Sequence, residues 1–185
     1  LCIPVVLGTM GEHNVRNALV ALGVAHQMGV DLEAAAEKLR EFHGQRLKFV
    51  PCDQCTVIDD TYNASPDSMR ASIHVLSSME NVKGRRVAAL SDMLELGEDE
   101  KKYHYEVGKY IASQNIDELV VFGELSRELL RGAAAGKPGA LRLTQVEDRE
   151  AMTAYLLETL QPEDVVLLKA SNGMKLSEVA KAIIG

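Results

Sequence analysis

The chain lacks any excess of positive charge: 20 Lys and Arg face 27 Asp and Glu, for a formal charge of −7 and a pI near 5.3. Nucleic acids and anionic membranes are bound by clustered cations that displace counterions, so both partners are excluded. Long apolar runs are also missing. Runs such as those at residues 119–122 and 165–168 fall far short of the roughly 20 residues that cross a bilayer. The first seven residues have no basic flank, so no secretory signal is expected and the chain is read as cytoplasmic. Cysteine is sparse. Three residues, an odd number, do not build a disulfide framework. No G-x-G-x-x-G follows a strand, no G-x-x-x-x-G-K-[ST] phosphate cradle occurs, and no G-x-S-x-G elbow is present. Dinucleotide oxidoreductases and serine hydrolases are thereby disfavoured, and nothing here activates ATP by itself.

What is present is the balance of a folded protein, with 46% hydrophobic and 25% charged residues over 185 positions. Residues 1–46 read as a strand at 2–7 followed by two helices, at 14–28 with Val15, Leu19, Leu22 and Ala25 apolar, and after Asp31 up to Gly44. One strand and two helices cannot bury both faces of a sheet, so this segment is expected to be the tail of a larger domain. From residue 47 strand and helix alternate. Strands are expected at 47–51, 56–59, 86–90, 118–122, 141–143 and 164–169, and helices at 66–79, 99–114, 125–134, 149–160 and 175–184. Such alternation gives an α/β doubly wound, mostly parallel sheet over residues 47–185. The small residues at 132–139 read as a surface loop. Cys52 and Cys55 have C-x-x-C spacing, but strands on both sides and the lack of a second ligand pair favour a plain hairpin over a redox or zinc site.

Doubly wound sheets hold ligands at the carboxyl ends of their strands, which directs attention to four loops. Asp59-Asp60-Thr61-Tyr62-Asn63-Ala64-Ser65-Pro66 places carboxylates, a phenol and an amide before a helix capped by Ser65. A carboxylate there can accept from a ribose diol, although a well-capped turn would use the same residues. Ser91-Asp92-Met93-Leu94-Glu95 and Lys169-Ala170-Ser171-Asn172 end two further strands. Lys169 and Ser171 could hold a substrate carboxylate, or Lys169 could snorkel at the surface. Asn14 and Asn17, three apart at a helix start, share one face and can pair with an adenine edge, or Asn14 is an N-cap. His26, His43, His74 and His104 are isolated in sequence, so no metal site is expected.

Gly11-x-His13-Asn14-x-x-Asn17, Arg46, Asp60-Thr61-Tyr62-Asn63-Ala64-Ser65-Pro66, Asp92-Met93-x-Glu95-Leu96-Gly97 and Lys169-x-Ser171 together resemble the Mur ligases. The resemblance runs over essentially the whole chain and points to the branch that joins D-alanyl-D-alanine to UDP-N-acetylmuramoyl-tripeptide. It implies a Rossmann-like carboxyl-terminal domain at 47–185 and the end of a central ATP-binding domain at 1–46. It further implies ATP contacts by Asn14, Asn17, Arg46, Asp60, Tyr62 and Asn63, and substrate contacts by Asp92, Glu95, Lys169 and Ser171. Mg2+ and the ATP phosphates would be held mainly by upstream residues, no catalytic residue would lie in this fragment, and the protein would be monomeric. Two motifs depart from the family pattern: Ser91 stands where glycine is usual, and Ala170 and Asn172 replace the Gly and Arg of Lys-Gly-Ser-Arg. A sibling ligase adding another amino acid, a folylpolyglutamate-type ligase and a non-catalytic nucleotide- or peptide-binding module are the alternatives.

Overall fold

The computed structural model describes residues 2–9, 12–42, 47–53, 55–136 and 141–185. The chain divides into two compact units, Leu1–Leu47 and Lys48–Gly185.

In the first unit, helix α1 (Glu12–Gln27) ends at Gly29 in the left-handed region, with the Val30 N–H reaching the Ala25 carbonyl at 2.9 Å. Asp31 then caps α2 (Leu32–Glu41) by accepting from the Ala34 N–H at 2.8 Å. The strand expected at residues 2–7 does not form. A ladder needs a neighbour, and among the described residues this unit supplies none. Instead the Gly8 N–H bonds to the Leu39 carbonyl at 3.2 Å. The expected apolar face of α1 is also open in part: Ala18 is buried, while Val15 and Leu19 are exposed. The helix end read at Gly44 lies outside the described residues.

The second unit is a six-stranded sheet in the order β1-β2-β6-β3-β4-β5. Its strands are β1 (Lys48–Pro51), β2 (Thr56–Asp59), β3 (Arg86–Leu90), β4 (Glu118–Val121), β5 (Arg142–Gln145) and β6 (Val165–Lys169). Only the β1–β2 hairpin is antiparallel; the other four pairings are parallel. The parallel strands are joined by helices α3 (Pro66–Ser78), α4 (Glu100–Ala112), α5 (Ser126–Gly136) and α6 (Arg149–Thr159), and α7 (Leu176–Ile184) follows β6. Apolar runs make β3, β4 and β6 buried on both faces, as covered parallel strands must be. Helices α6 and α7 pack Met152, Leu156, Val179 and Ile183 against one face. Register sets the strands level at their carboxyl ends, with Asp59 opposite Leu168, Leu90 opposite Lys169 and Val121 opposite Gln145.

Gly132 belongs to α5, as the helix expected at 125–134 has it, and the overlapping loop reading at 132–139 does not hold for 132–136. A Cβ at Gly132 would stand 2.0 Å from the Tyr105 carbonyl oxygen, and one at Gly108 would stand 2.1 Å from that of Leu129. Small residues here let the α4 and α5 backbones touch. Residues 137–140 lie outside the described residues.

The amino edge of the sheet carries an ion network. Arg85 donates to Asp164 Oδ2 at 2.7 Å, to Glu118 Oε2 at 3.0 Å and to the Thr159 carbonyl. Glu118, only 1% exposed, also accepts from Thr144 and Tyr155. Burial pushes the Asp164 carboxyl up, but hydrogen bonds from the Arg85 side chain and the Arg85 and Gln161 N–H groups outweigh it and hold it below the usual carboxylate value.

Two outcomes are expected. Gly132→Ala drives a methyl into a backbone carbonyl and should cost about 1–3 kcal/mol or more, read from urea unfolding. Because the folded-state pKa of Asp164 is depressed, its stabilisation is present above the unfolded value near ~4 and is lost as pH falls through the folded one. Asp164→Asn should therefore be less stable than the parent at neutral pH and should lose less stability on acidification from about pH 5 downward.

Candidate functional site

The level strand ends bring residues 60–65, 91–96 and 170–173 side by side. Asp60 continues past β2, its N–H bonding to the Leu168 carbonyl at 3.0 Å. Lys169, the last residue of β6, meets it: Nζ lies 2.6 Å from Asp60 Oδ2, with the two side chains 1% and 3% exposed. Burying either charge alone would cost several kcal/mol, so the pair is what makes this depth tolerable. The Ser72 hydroxyl on α3 donates to the same oxygen at 2.6 Å. Asp60 Oδ1 is buried and, among the described residues, has no hydrogen-bond partner.

Lys169 Nζ also donates to the Asn63 carbonyl at 2.8 Å. Asp59 accepts from both the N–H and the hydroxyl of Thr61, closing a side-chain turn. Between these two anchors the loop presents Tyr62, 54% exposed, and Asn63 to solvent. Ser65 and Ser68 then cap α3 reciprocally, with Pro66 at its first position.

The second loop is pinned from three sides. The Ser91 hydroxyl donates to the Phe122 carbonyl at 2.7 Å, so the residue departing from the family pattern has a partner of its own. The Met93 N–H donates to His104 Nε2 at 2.9 Å, which leaves Nδ1 to donate to the Glu100 carbonyl. The Leu94 N–H donates to Ser171 Oγ at 2.8 Å, and the Ser171 N–H to the Asp92 carbonyl at 3.1 Å. Glu95 then takes a left-handed φ of 62° and is exposed.

Together these loops line a cleft of about 480 Å³ that includes Tyr62, Asn63, Ser65, Glu95, Ser171 and Asn172. A larger hollow, about 630 Å³, lies beside Arg127, Gln145 and Glu147 at the β4 and β5 ends, away from the motif residues.

Several sequence-derived expectations change. Lys169 is 0% exposed rather than at the surface, and its ammonium is engaged by Asp60 and Asn63 instead of standing in the cleft. The Asp92 carboxylate serves the start of α5: Oδ1 accepts from the Ser126 N–H and hydroxyl at 2.7 and 2.6 Å, Oδ2 from the Leu125 N–H at 3.3 Å. Gly123, at φ +111°, makes room for it, since a Cβ there would lie 2.3 Å from Oδ1. Ser171 lines the cleft, but its hydroxyl already accepts from Leu94. Asn14 and Asn17 lie in the first unit, inside α1 rather than at its cap, with Asn17 exposed. Arg46 lies outside the described residues. Ser72, His104 and Ser126 were not anticipated, because their partners are distant in sequence or are backbone groups.

Residues 45–172 match the family model described as the Mur ligase, glutamate ligase domain. The chain belongs to the Mur ligase family. Two similar proteins are the UDP-N-acetylmuramoyl-tripeptide–D-alanyl-D-alanine ligases of Bacillus subtilis and Mycobacterium tuberculosis. The first is 35% identical over 95% of this chain and 38% of its own length, the second 36% identical over 96% and 39%. Among solved structures, MurF from Acinetobacter baumannii superposes with a TM-score of 0.81 at 29% identity, covering 97% of this chain and 39% of that one. MurF ligase from Thermotoga maritima in complex with ADP gives 0.74 at 25% identity, covering 94% and 38%. This Mur ligase chain thus spans about two fifths of the length of the relatives it matches.

Lys169→Met should leave Asp60 as an uncompensated buried carboxylate and cost about 3–5 kcal/mol in chemical unfolding. Adding Asp60→Leu should restore much of that loss, since a well-packed apolar pair carries no stranded charge.

Proposed function

We propose that this chain is the carboxyl-terminal part of a cytoplasmic, ATP-dependent ligase that joins D-alanyl-D-alanine to UDP-N-acetylmuramoyl-tripeptide in peptidoglycan precursor synthesis. The observation that carries the reading is the cleft itself. Two of its lining loops, 62–65 and 94–96, carry motifs that resemble that branch of the family, and Ser171 lines the third; the similarity to ligases named for this substrate pair extends over 95–96% of the chain. Residues 1–46 are read as the end of the ATP-binding domain and 47–185 as the domain that receives the dipeptide.

The nucleotide fits this chain in one respect. Asp60 Oδ1 is a buried acceptor with no donor among the described residues, and a ribose hydroxyl is a donor of the right kind. Exposed Asn17 and its helix neighbour Asn14 offer amides suited to an adenine edge. The described residues contain no group of three or more His, Cys, Asp or Glu that could cage a metal by themselves, so Mg2+ is read as held mainly by upstream residues and the ATP phosphates.

In the proposed reaction ATP supplies the phosphoryl group that activates the tripeptide carboxylate as an acyl phosphate, and the dipeptide amine displaces phosphate from that carbonyl. The contribution of this chain is positional: the cleft holds the dipeptide with its amine presented. Orientation of this kind can lower a barrier by roughly 7–11 kcal/mol at best. Asn172 stands at the cleft where the family pattern has arginine, so the dipeptide carboxylate is met there by a neutral amide rather than a bidentate cation.

The test is phosphate release by the complete protein. Release that requires ATP, UDP-N-acetylmuramoyl-tripeptide and D-alanyl-D-alanine supports the reading. Release with a single amino acid in place of the dipeptide transfers it to a sibling ligase, and binding without turnover to a non-catalytic module. In the same assay Asn172→Arg should lower the KM for the dipeptide about 10-fold, the worth of a charge-assisted hydrogen bond. An unchanged KM would place the carboxylate elsewhere in the cleft.

A further inference from the structure

The C-x-x-C segment has no part in the cleft chemistry, yet its geometry is not that of two unrelated thiols. Pro51 and Thr56 are the last register pair of the β1–β2 hairpin, so Cys52 and Cys55 stand directly opposite one another at its turn. The Cys52 N–H donates to the Cys55 carbonyl at 2.9 Å and the Cys52 thiol to the same oxygen at 3.0 Å. Residues facing one another across an antiparallel pair have Cα atoms roughly 4.5–5.5 Å apart, inside the roughly 4.4–6.8 Å window a disulfide requires. The side chains also point together: the sulfurs are 3.4 Å apart, and both thiols are free. Closing the bond needs a sulfur movement, not a backbone rearrangement.

We propose that Cys52 and Cys55 form a reversible oxidation site, a dithiol that small-molecule disulfides convert to an intrachain disulfide at the turn of the edge hairpin. Accessibility orders the steps. Cys52 is half-buried and Cys55 is 5% exposed among Val57, Leu160, Val166 and Ile183. The Cys52 thiolate attacks one sulfur of the oxidant and expels the other as a thiol. Cys55 then gives its proton to solvent and attacks the Cys52 sulfur, releasing the second thiol. The balance is one protein dithiol and one small disulfide in, one protein disulfide and two small thiols out. Burial, reinforced by the hydrogen bond and charge of Cys52, pushes the Cys55 thiol up to about 12. The second step is therefore the slow one, and Cys55 is protected from oxidants that Cys52 has not met first. Exposed Cys2 serves as an internal control.

The test is incubation of the chain with glutathione disulfide, followed by alkylation and tryptic mapping without reduction. Both cysteines fall in the peptide after Lys48 that ends at Arg70. The expected product is that peptide lighter by two hydrogens and closed to alkylation, while Cys2 carries a glutathione adduct; dithiothreitol should reverse both. Cys55→Ser should accumulate the Cys52 adduct instead, and the mapping of the parent chain decides the matter should that variant fail to fold. The proposal is overturned if Cys52 keeps a stable adduct beside an alkylatable Cys55, or if both stay reduced while Cys2 reacts. Retention of zinc by the reduced pair, with resistance to the oxidant, would overturn it equally.

Discussion

The buried contact between Lys169 and Asp60 is the constraint on which the site depends. Two charges at 1% and 3% exposure persist only because each neutralises the other and the remaining donors are used, one on the Asn63 carbonyl and one from Ser72. The pair ties the end of β6 to the end of β2, and through Asn63 it fixes the loop that presents Tyr62. A single electrostatic contact thus sets the distance between two walls of the cleft. It also leaves Asp60 Oδ1 without a donor among the described residues, an expense in stability of the kind a ligand can repay.

The two edges of the sheet divide the work. At the amino edge Arg85, Glu118 and Asp164 form a closed set in which nearly every polar atom has a partner, and the strands are held there in register. At the carboxyl edge the hydrogen bonds run between loops instead: Leu94 to Ser171, Ser171 to Asp92, Met93 to His104. Rigidity at one end and cross-braced loops at the other are what a binding cleft on a parallel sheet needs. The backbone contact of α4 with α5 through Gly108 and Gly132 supports the second arrangement, because it fixes the helix whose start Asp92 caps.

Much of this was legible in the sequence, and the failures have physical causes. Strands β2 and β3 lie where their apolar runs place them, and Ser65-Pro66 marks the start of α3, because local pattern decides covered strands and capped helix ends. The strand expected at residues 2–7 failed because β structure is a property of pairs, and one segment cannot report whether a partner exists. Residues 132–134 read both as the end of a helix and as the start of a loop, because small residues signal both turns and close helix contacts. Lys169 and Asp92 were recognised as belonging to the functional edge, but their direction was not. A lysine ending a strand reads identically whether it snorkels or buries, and the residue that settles it, Asp60, stands 109 positions away.

With Lys169 withdrawn into its ion pair, Glu95 is the only charged side chain among the described residues that line the cleft. This shapes what the cleft can hold. Glu95 is exposed and held at a left-handed φ, and a carboxylate there attracts the ammonium end of a zwitterionic ligand. The other polar side chains at the cleft are neutral, the Tyr62 phenol, the Asn63 and Asn172 amides and the Ser65 hydroxyl among them, so the carboxylate end of such a ligand would be met without a cation. In the proposed reading a dipeptide suits such a division better than a single amino acid, because its two charges are separated by a peptide unit, and Glu95 would orient it by its amine.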